Sequence, residues 1–389
     1  MKKIKVLEII GDSTLSGGSI SLLTLVKGLD KRKFDITCIC PPGPLAGILK
    51  GLKDVEVEVI PMCSKWDIKA IQKIRKIISK LKTKTSDLIV HSHGVRGGWL
   101  GRLACLGPKE NAPKIVYTEH LWTDEYKLNN PLTHIFQVFG LWLLDFLTTK
   151  TIAVSNAVAD FLVKKGITRP EKIKVIYNGI EQRAKSKEQR NKGEEITIGF
   201  VGGLTRNKGV EYLIRAVAEI ILSHKSKILN LVIVGEGEEK KKLKNLTKKL
   251  KIDKLVEFKG LVDNPSVIYP TLDIYIQPSL SESFGIAALE AMSFGVPVIA
   301  SNVGGLRELL ALESDNIADK DLKKPYLLTD CGILVPPENV AALSAAILKL
   351  IKGKKLRLRL GDGAKRRAKQ YSAEKMVEKT EKLYLSLIE

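Results

Sequence analysis

The stretch Ile196–Val234, ITIGFVGGLTRNKGVEYLIRAVAEIILSHKSKILNLVIV, reads as strand, glycine-rich turn, amphipathic helix and second strand. Ile196–Val201 and Leu229–Val234 are short β-branched runs, and Val210–Leu222 between them repeats its apolar positions at helical spacing. Strands that show no polar alternation are covered on both faces. Joined by helical crossovers, they define a parallel, doubly wound sheet. The rhythm continues through helix Glu238–Leu250, Val256–Phe258, Ile274–Gln277, helix Gly285–Phe294, Val298–Ala300 and helix Ala341–Ile351.

Upstream the same alternation occurs independently. Ile4–Ile10, Phe34–Cys40, Val55–Ile60, Leu88–His91, Lys114–Tyr117 and Thr151–Val154 read as strands, with Leu22–Leu29 and Ile68–Leu81 as helices. Two such repeats fit a chain of 389 residues, which is long for one core. Glu181–Glu195, EQRAKSKEQRNKGEE, has almost no apolar residue and has the composition of a linker. The expected organisation is an N-terminal Rossmann-like domain over 1–180, a linker over 181–195 and a second Rossmann-like domain over 196–365. A C-terminal helix over 366–389 would carry Met376, Val377, Thr380, Leu383, Tyr384 and Leu387 on one stripe and return to the first domain. In open α/β sheets ligands bind beyond the carboxyl ends of the strands, so the site is expected in a cleft between the two domains.

The densest chemistry lies in Gln277–Ala291, QPSLSESFGIAALEA. Gly285 opens a helix, and the N–H groups of Gly285, Ile286 and Ala287 have no partner one turn back, so with the helix dipole they suit a pyrophosphate. Glu290, further along that helix, is placed to accept from both hydroxyls of a ribose. Read alone, Glu282 and Glu290 are better explained as a dipole-favoured carboxylate at a helix start and a surface residue.

The surroundings decide between these readings. The sequence resembles the retaining nucleotide-sugar glycosyltransferases of family 4, which have the GT-B fold. The resemblance runs in family order through Gly17-Gly18, HSHG at His91–Gly94, YTEH ending in His120, IAVSNAV at Ile152–Val158 and VIYNGIE at Val175–Glu181. It continues through GFVGGLTRNKGVEYLIRA at Gly199–Ala216, VGEGE at Val234–Glu238, the Glu282/Glu290 segment, GVPVIAS at Gly295–Ser301 and GILVPPEN at Gly332–Asn339.

The resemblance implies that Glu290 holds the donor ribose, and that Glu282 with the Ser283, Phe284, Gly285 and Ile286 backbone meets the transferred sugar and phosphates. It further implies that Lys208 neutralises the diphosphate leaving group and that His120 meets the donor sugar. Gly17, Gly18, Gly235 and Gly237 would border the donor. His91 and His93 are read as facing opposite sides of their strand and so as a poor metal pair; His91 is assigned to the core, and His93 is left as an acceptor contact. No metal and no cofactor is expected. The one D-x-D pattern, Asp319–Asp321, sits in Lys-rich polar sequence and reads as a solvated loop. VGEGEEK lacks the third small residue of a dinucleotide fingerprint, which excludes an NAD reading.

Three departures from the family stand out. Gly203 occupies the place where many members carry an arginine, and Arg206 in the same loop is the candidate replacement. Arg307 replaces a common proline. The 312–328 connection is long.

A net charge of +21 attracts nucleic acid, anionic membrane and phosphorylated substrates alike. No nucleic-acid motif accompanies it, so no nucleic-acid partner is expected. The five cysteines include no CxxC pair and read as reduced thiols of a cytoplasmic protein. Neither the N-terminal run nor Ile135–Leu147 is long and apolar enough for an export signal or a spanning helix. Trp66–Lys84 is a basic amphipathic helix, read both as a sheet-packed crossover and as a peripheral contact with anionic membrane. Phe139 and Trp142, in the aromatic-rich Leu121–Leu147 region, are expected in the core, with an interfacial dip into lipid as the alternative. The functional expectation is a retaining, metal-independent glycosyltransferase moving a sugar from a nucleoside-diphosphate sugar to a hydroxyl acceptor, lipid-linked glycan included. A glycan phosphorylase, a sugar-nucleotide epimerase and a polyanion-binding module are the alternatives.

Overall fold

The computed structural model describes residues 3–83, 87–107, 112–126, 131–182, 195–224, 229–311 and 325–388. The chain divides into two units, one formed by Met1–Gly179 with Ala373–Glu389 and the other by Ile180–Ser372.

The first unit is built on β1 (Ile4–Ile10), β2 (Phe34–Cys40), β3 (Val55–Val59), β4 (Leu88–His93), β5 (Lys114–Glu119), β6 (Lys150–Ala153) and β7 (Ile173–Val175), in the spatial order β3-β2-β1-β4-β5-β6-β7. Every pairing is parallel. The second unit repeats the plan with β8 (Ile196–Val201), β9 (Leu229–Val234), β10 (Val256–Gly260), β11 (Ile274–Gln277), β12 (Val298–Ser301), β13 (Leu327–Leu328) and β14 (Gly332–Val335). Its order is β10-β9-β8-β11-β12-β14-β13, with only β13 antiparallel. Strand order reverses between β1 and β4 in one sheet and between β8 and β11 in the other, and the crevice beyond the strand ends at such points is where doubly wound sheets bind ligands.

The strand period of two divides the first core. Val6, Ile10, Ile36 and Ile89 pack against Leu22, Val26, Val377 and Leu383 from the helices Gly17–Gly28 and Ala373–Ile388. Leu7, Ile9, Ile39 and Val90 point the other way, onto Ile74, Ile78, Leu81 and Leu100. The helix Ile68–Lys82 is therefore a crossover helix on its sheet, while its Lys69, Lys73, Lys76 and Lys80 are exposed. Lys84, at the end of the stretch predicted from sequence, lies outside the described residues, as do 183–194 of the expected linker and 312–324 of the long connection, Asp319–Asp321 included.

Two expectations are corrected. The expected helix over 366–389 is two helices, Lys354–Ala368 and Ala373–Ile388, separated by a 3₁₀ turn at Lys369–Tyr371 and an extended Ser372. The apolar stripe gave no sign of the break, because Tyr371 is buried against Phe284 of the second unit while Ser372 bridges to Ile180. Only the second of these helices joins the first unit, and it lies so close to Gly28 that a Cβ there would meet Val377 Cγ2 at 2.5 Å. The other correction concerns the helix Pro131–Asp145. Phe139 and Trp142 are 56% and 40% exposed, and Gly140, Leu141 and Leu144 form the packed face instead. In a helix apolar on nearly all sides, periodicity does not select the buried face. Gly140 does, since its missing side chain leaves room for the Trp99 ring.

Leu383→Ala removes a buried side chain that joins the last helix to the first sheet. It is expected to lower the stability of the first unit by about 2–4 kcal/mol, read from the shift of its urea unfolding transition.

Candidate active site

In the first unit the chemistry gathers on the last turns of β1, β4 and β5. Glu8 lies opposite His91 in the parallel register and His93 opposite Thr118. Residues i and i+2 of a strand share a face, so the expectation that His91 and His93 diverge is wrong: their rings lie 4.0 Å apart on the same side. Glu8 is fully buried between them. Its Oε2 is 2.7 Å from His93 Nε2 and 3.2 Å from His91 Nδ1, and its Oε1 accepts from the Tyr384 hydroxyl at 2.8 Å. His91 reaches Tyr384 through Nδ1 at 2.5 Å and Thr118 Oγ1 through Nε2 at 2.6 Å. His93 Nδ1 meets His120 Nε2 at 3.2 Å.

Electrostatics orient this chain. Burial alone would raise the Glu8 carboxyl, but His91 and His93 hold it well below the usual carboxylate range. Burial, then the neighbouring His91, lowers His93 to about 4, with Glu8 opposing. Burial, then His93 and His91, lowers His120 well below the usual histidine value. With Glu8 charged and both rings neutral, Glu8 accepts from His93 Nε2, His93 Nδ1 accepts from His120 Nε2, and the proton-free nitrogen of His120 is Nδ1. Beside that ring Gly18 presents bare backbone: a Cβ there would stand 3.5 Å from His120 Cγ. Gly17 and Gly18 open the helix Gly17–Gly28, whose start is held by Ser16 N–H donating to Ser19 Oγ at 2.8 Å.

Glu8, His91 and His93 also bring three ligand-type atoms within 4.8 Å of one another. The 2.7 Å between Glu8 Oε2 and His93 Nε2 is a hydrogen-bond length, whereas two ligands at tetrahedral angles on zinc stand about 3.3 Å apart. The arrangement is that of a hydrogen-bond network.

In the second unit the remaining predicted residues lie beyond β8, β9 and β11. Lys208, on the 3₁₀ turn Arg206–Lys208, forms an ion pair with Glu282 at 2.7 Å. Glu282 Oε2 also accepts from Ser279 Oγ at 3.1 Å and from Gln277 Nε2 at 3.4 Å. Tyr275 donates to Gln277 Oε1 at 2.5 Å, and burial, with Glu282 nearby, pushes its phenol up, so it stays a neutral donor. Gly285 caps the helix Ile286–Ser293 at φ +100°, and a Cβ there would lie 2.6 Å from Leu306 Cδ2. Glu290, on that helix, accepts from the Tyr269 hydroxyl at 2.7 Å. Ser283 is partly exposed, whereas Phe284 and Ile286 are buried. Gly235, at φ +136°, donates to Gly260 O and lies so near Gly202 that a Cβ would meet its carbonyl oxygen at 1.9 Å. Gly237 is pressed against Leu204 O in the same way. Gly203 faces open space, and Arg206 is exposed.

Sequence reading missed Glu8, Tyr384, Gln277 and Tyr269. The signal for Glu8 was available: a carboxylate inside an apolar strand covered on both faces has to be paired. Nothing in the pattern announced Tyr384, whose 3.6-residue stripe marks only burial.

Residues 181–367 match the profile of the group 1 glycosyl transferases, and residues 15–183 match that of glycosyltransferase family 4. An uncharacterized glycosyltransferase of Methanocaldococcus jannaschii is 30% identical over 305 residues, 77% of this chain and 75% of that one. The UDP-Gal:alpha-D-GlcNAc-diphosphoundecaprenol alpha-1,3-galactosyltransferase of Escherichia coli is 27% identical over 99% of this chain and 98% of its own. Anabaena HepE, crystallised with UDP and glucose, superposes with a TM-score of 0.78 at 18% identity, covering 98% of this chain and all of that one. The chain belongs to glycosyltransferase family 4 of the group 1 glycosyl transferases, with the α/β GT-B fold, and it is a glycosyltransferase.

The neutral state of His93 and His120 fixes the pH response. A histidine whose folded pKa is depressed stabilises the fold above its ordinary value near 6.5, and this is lost as pH falls toward the folded value. The first unit is expected to lose up to about 1.4 kcal/mol per pH unit for each ring, in the case of His93 between about 6.5 and about 4. Urea midpoints across this range should fall less steeply in His93→Asn.

Proposed function

We propose that this glycosyltransferase moves a sugar, with retention at the anomeric carbon, from a nucleoside-diphosphate sugar to a hydroxyl acceptor in cell-surface polysaccharide or glycolipid synthesis. The observation that carries the reading is the 2.7 Å Lys208–Glu282 pair set beside the Gly285-capped helix that bears Glu290. One ammonium, a helix N-terminus and a carboxylate are the three groups needed for a diphosphate and a ribose.

In this reading Glu290 accepts from the ribose hydroxyls and the amides around Gly285 meet the diphosphate. As the bond from the anomeric carbon to the phosphate oxygen breaks, its electron pair and negative charge pass to the diphosphate, where Lys208 stabilises them. The acceptor oxygen forms its bond to the same face and gives its proton to the departing phosphate oxygen. No protein nucleophile is assigned, and no metal is required by this scheme. Glu282 positions Lys208, and Ser283, Phe284, Ile286, Gly235 and Gly237 shape the donor loops. His120, with Gly17 and Gly18, is assigned to the donor sugar and phosphate, and His93, buried with its ring nitrogens engaged by Glu8 and His120, positions His120 rather than meeting the acceptor as the sequence suggested. The names of the relatives favour a uridine donor and a lipid-linked acceptor as the first to try. A cytoplasmic, membrane-peripheral location suits that acceptor; among the described residues no helix is long and apolar enough to cross a membrane.

Calorimetric titration with UDP, GDP, ADP and their sugar conjugates, in chelator, tests the reading. One nucleotide family is expected to bind selectively, and Glu290→Ala is expected to cost about 1.5–3 kcal/mol of that binding. Equal affinity in the variant removes the ribose assignment. Lys208→Ala should lower kcat by roughly 10²–10³ while donor affinity falls far less, because the charge it meets grows in the transition state.

Gly203 offers a complementary gain of function. A Cβ at this position meets nothing nearer than Thr205 Cγ2 at 3.9 Å, so a side chain enters without strain. Gly203→Arg is expected to tighten diphosphate binding by about 1.5–3 kcal/mol through charged hydrogen bonds, with a correspondingly steeper salt dependence in the same titration.

A further inference from the structure

The helix Pro131–Asp145 and the residue after it expose Leu132, Ile135, Phe136, Phe139, Trp142, Leu143 and Phe146. At about 100° per residue these seven fall within an arc of about 120°, with no charged side chain among them. Scattered apolar residues are normal on a surface, but a continuous stripe of four aromatic and three aliphatic side chains is not.

The stripe is joined to a basic surface. Behind it, Gly140 packs on the Trp99 ring, and Trp99 meets exposed Trp66 edge to face with centroids 4.4 Å apart. Lys65 lies over both indoles. Trp66 and Ile68, 59% and 68% exposed, extend the apolar surface to the start of the helix Ile68–Lys82. That helix displays Lys69, Lys73, Lys76 and Lys80 to solvent, and at the other margin Lys165 lines a shallow groove with Ile135, Phe139 and Trp142. Fifteen residues make a helix about 22 Å long, too short to span a bilayer, and its Leu141 and Leu144 face is held by protein. Such a helix can lie along a bilayer but cannot cross it.

We infer that this helix is a membrane-docking surface of the first unit that inserts its aromatic stripe into the acyl boundary of an anionic phospholipid bilayer. The lysines of the neighbouring helix engage the headgroups. Anionic lipid is the occupant that meets both halves of the surface at once, the uncharged aromatic stripe and the lysine cluster beside it. The inference deepens the peripheral location proposed above by moving the main contact from the basic helix to the apolar one.

The test is vesicle flotation of the full chain with phosphatidylcholine alone and with phosphatidylglycerol added. Wild type is expected to float with the anionic vesicles, and Phe136→Ser/Phe139→Ser/Phe146→Ser to lose roughly tenfold or more of that binding. Brominated lipid should quench indole emission in wild type and quench it less in Trp142→Phe, a variant that leaves the apolar surface in place. The triple variant should keep its circular dichroism and its nucleotide titration, so lost flotation with retained donor binding speaks to docking alone, whereas lost donor binding in wild type speaks to the catalytic reading. Equal flotation of wild type and triple variant, or a Trp142 signal insensitive to brominated lipid, overturns the proposal. So does a concentration-dependent dimer of wild type that the triple variant abolishes without any change in flotation, which would make the stripe a self-interface.

Discussion

A carboxylate buried in a parallel sheet has to be compensated at once, and in this protein the compensation of Glu8 organises the first unit. Its two oxygens accept from Tyr384 and from His93, with His91 close by. Through Tyr384 the requirement reaches the last helix, which is thereby held to the sheet by a polar contact as well as by Val377 and Leu383. Through His93 it reaches His120 and sets which nitrogen of that ring carries the proton. Removing a single partner from such a network leaves a buried charge with an unsatisfied neighbour, which costs more than the lost contact itself.

The second unit uses the same topology for a different purpose. Its loops beyond β8 and β9 are drawn together by backbone approaches that exclude side chains, such as Gly235 on Gly202. The charges there stay paired and partly accessible: the side chains of Lys208 and Glu282 retain 29% and 11% exposure. One unit thus buries its titratable groups and fixes their protons, and the other keeps its ion pair partly exposed. Both arrangements follow from the reversal of strand order, which opens a crevice at the carboxyl ends of the central strands.

The alternation of apolar runs and amphipathic stretches made the doubly wound sheets legible, because covered parallel strands have a distinctive pattern. Lys208, Glu282, Gly285 and Glu290 were picked out as a group by the ordered resemblance to family 4, since a glycine and two carboxylates at a strand-to-helix turn carry no such meaning by themselves. What stayed hidden depends on contacts between distant segments. The break at Ser372 arises from Tyr371 meeting Phe284, and the exposed face of Pro131–Asp145 from Trp99 meeting Gly140. The histidine pair was misread at the level of strand geometry itself: HSH on a strand directs both rings to one face, and Glu8 in the adjacent strand fills the space between them.

The first unit is completed by residues that lie beyond the whole of the second, with about 190 residues separating Gly179 from Ala373. A ribosome adding roughly 5–20 residues per second needs about 10–40 s to cross that interval. During it the nascent N-terminal sheet holds Glu8 and His91 without the Tyr384 hydroxyl, and the face that later receives Val377 and Leu383 is uncovered. The second unit, continuous in sequence, can fold within that pause, so the N-terminal half is begun first and finished last.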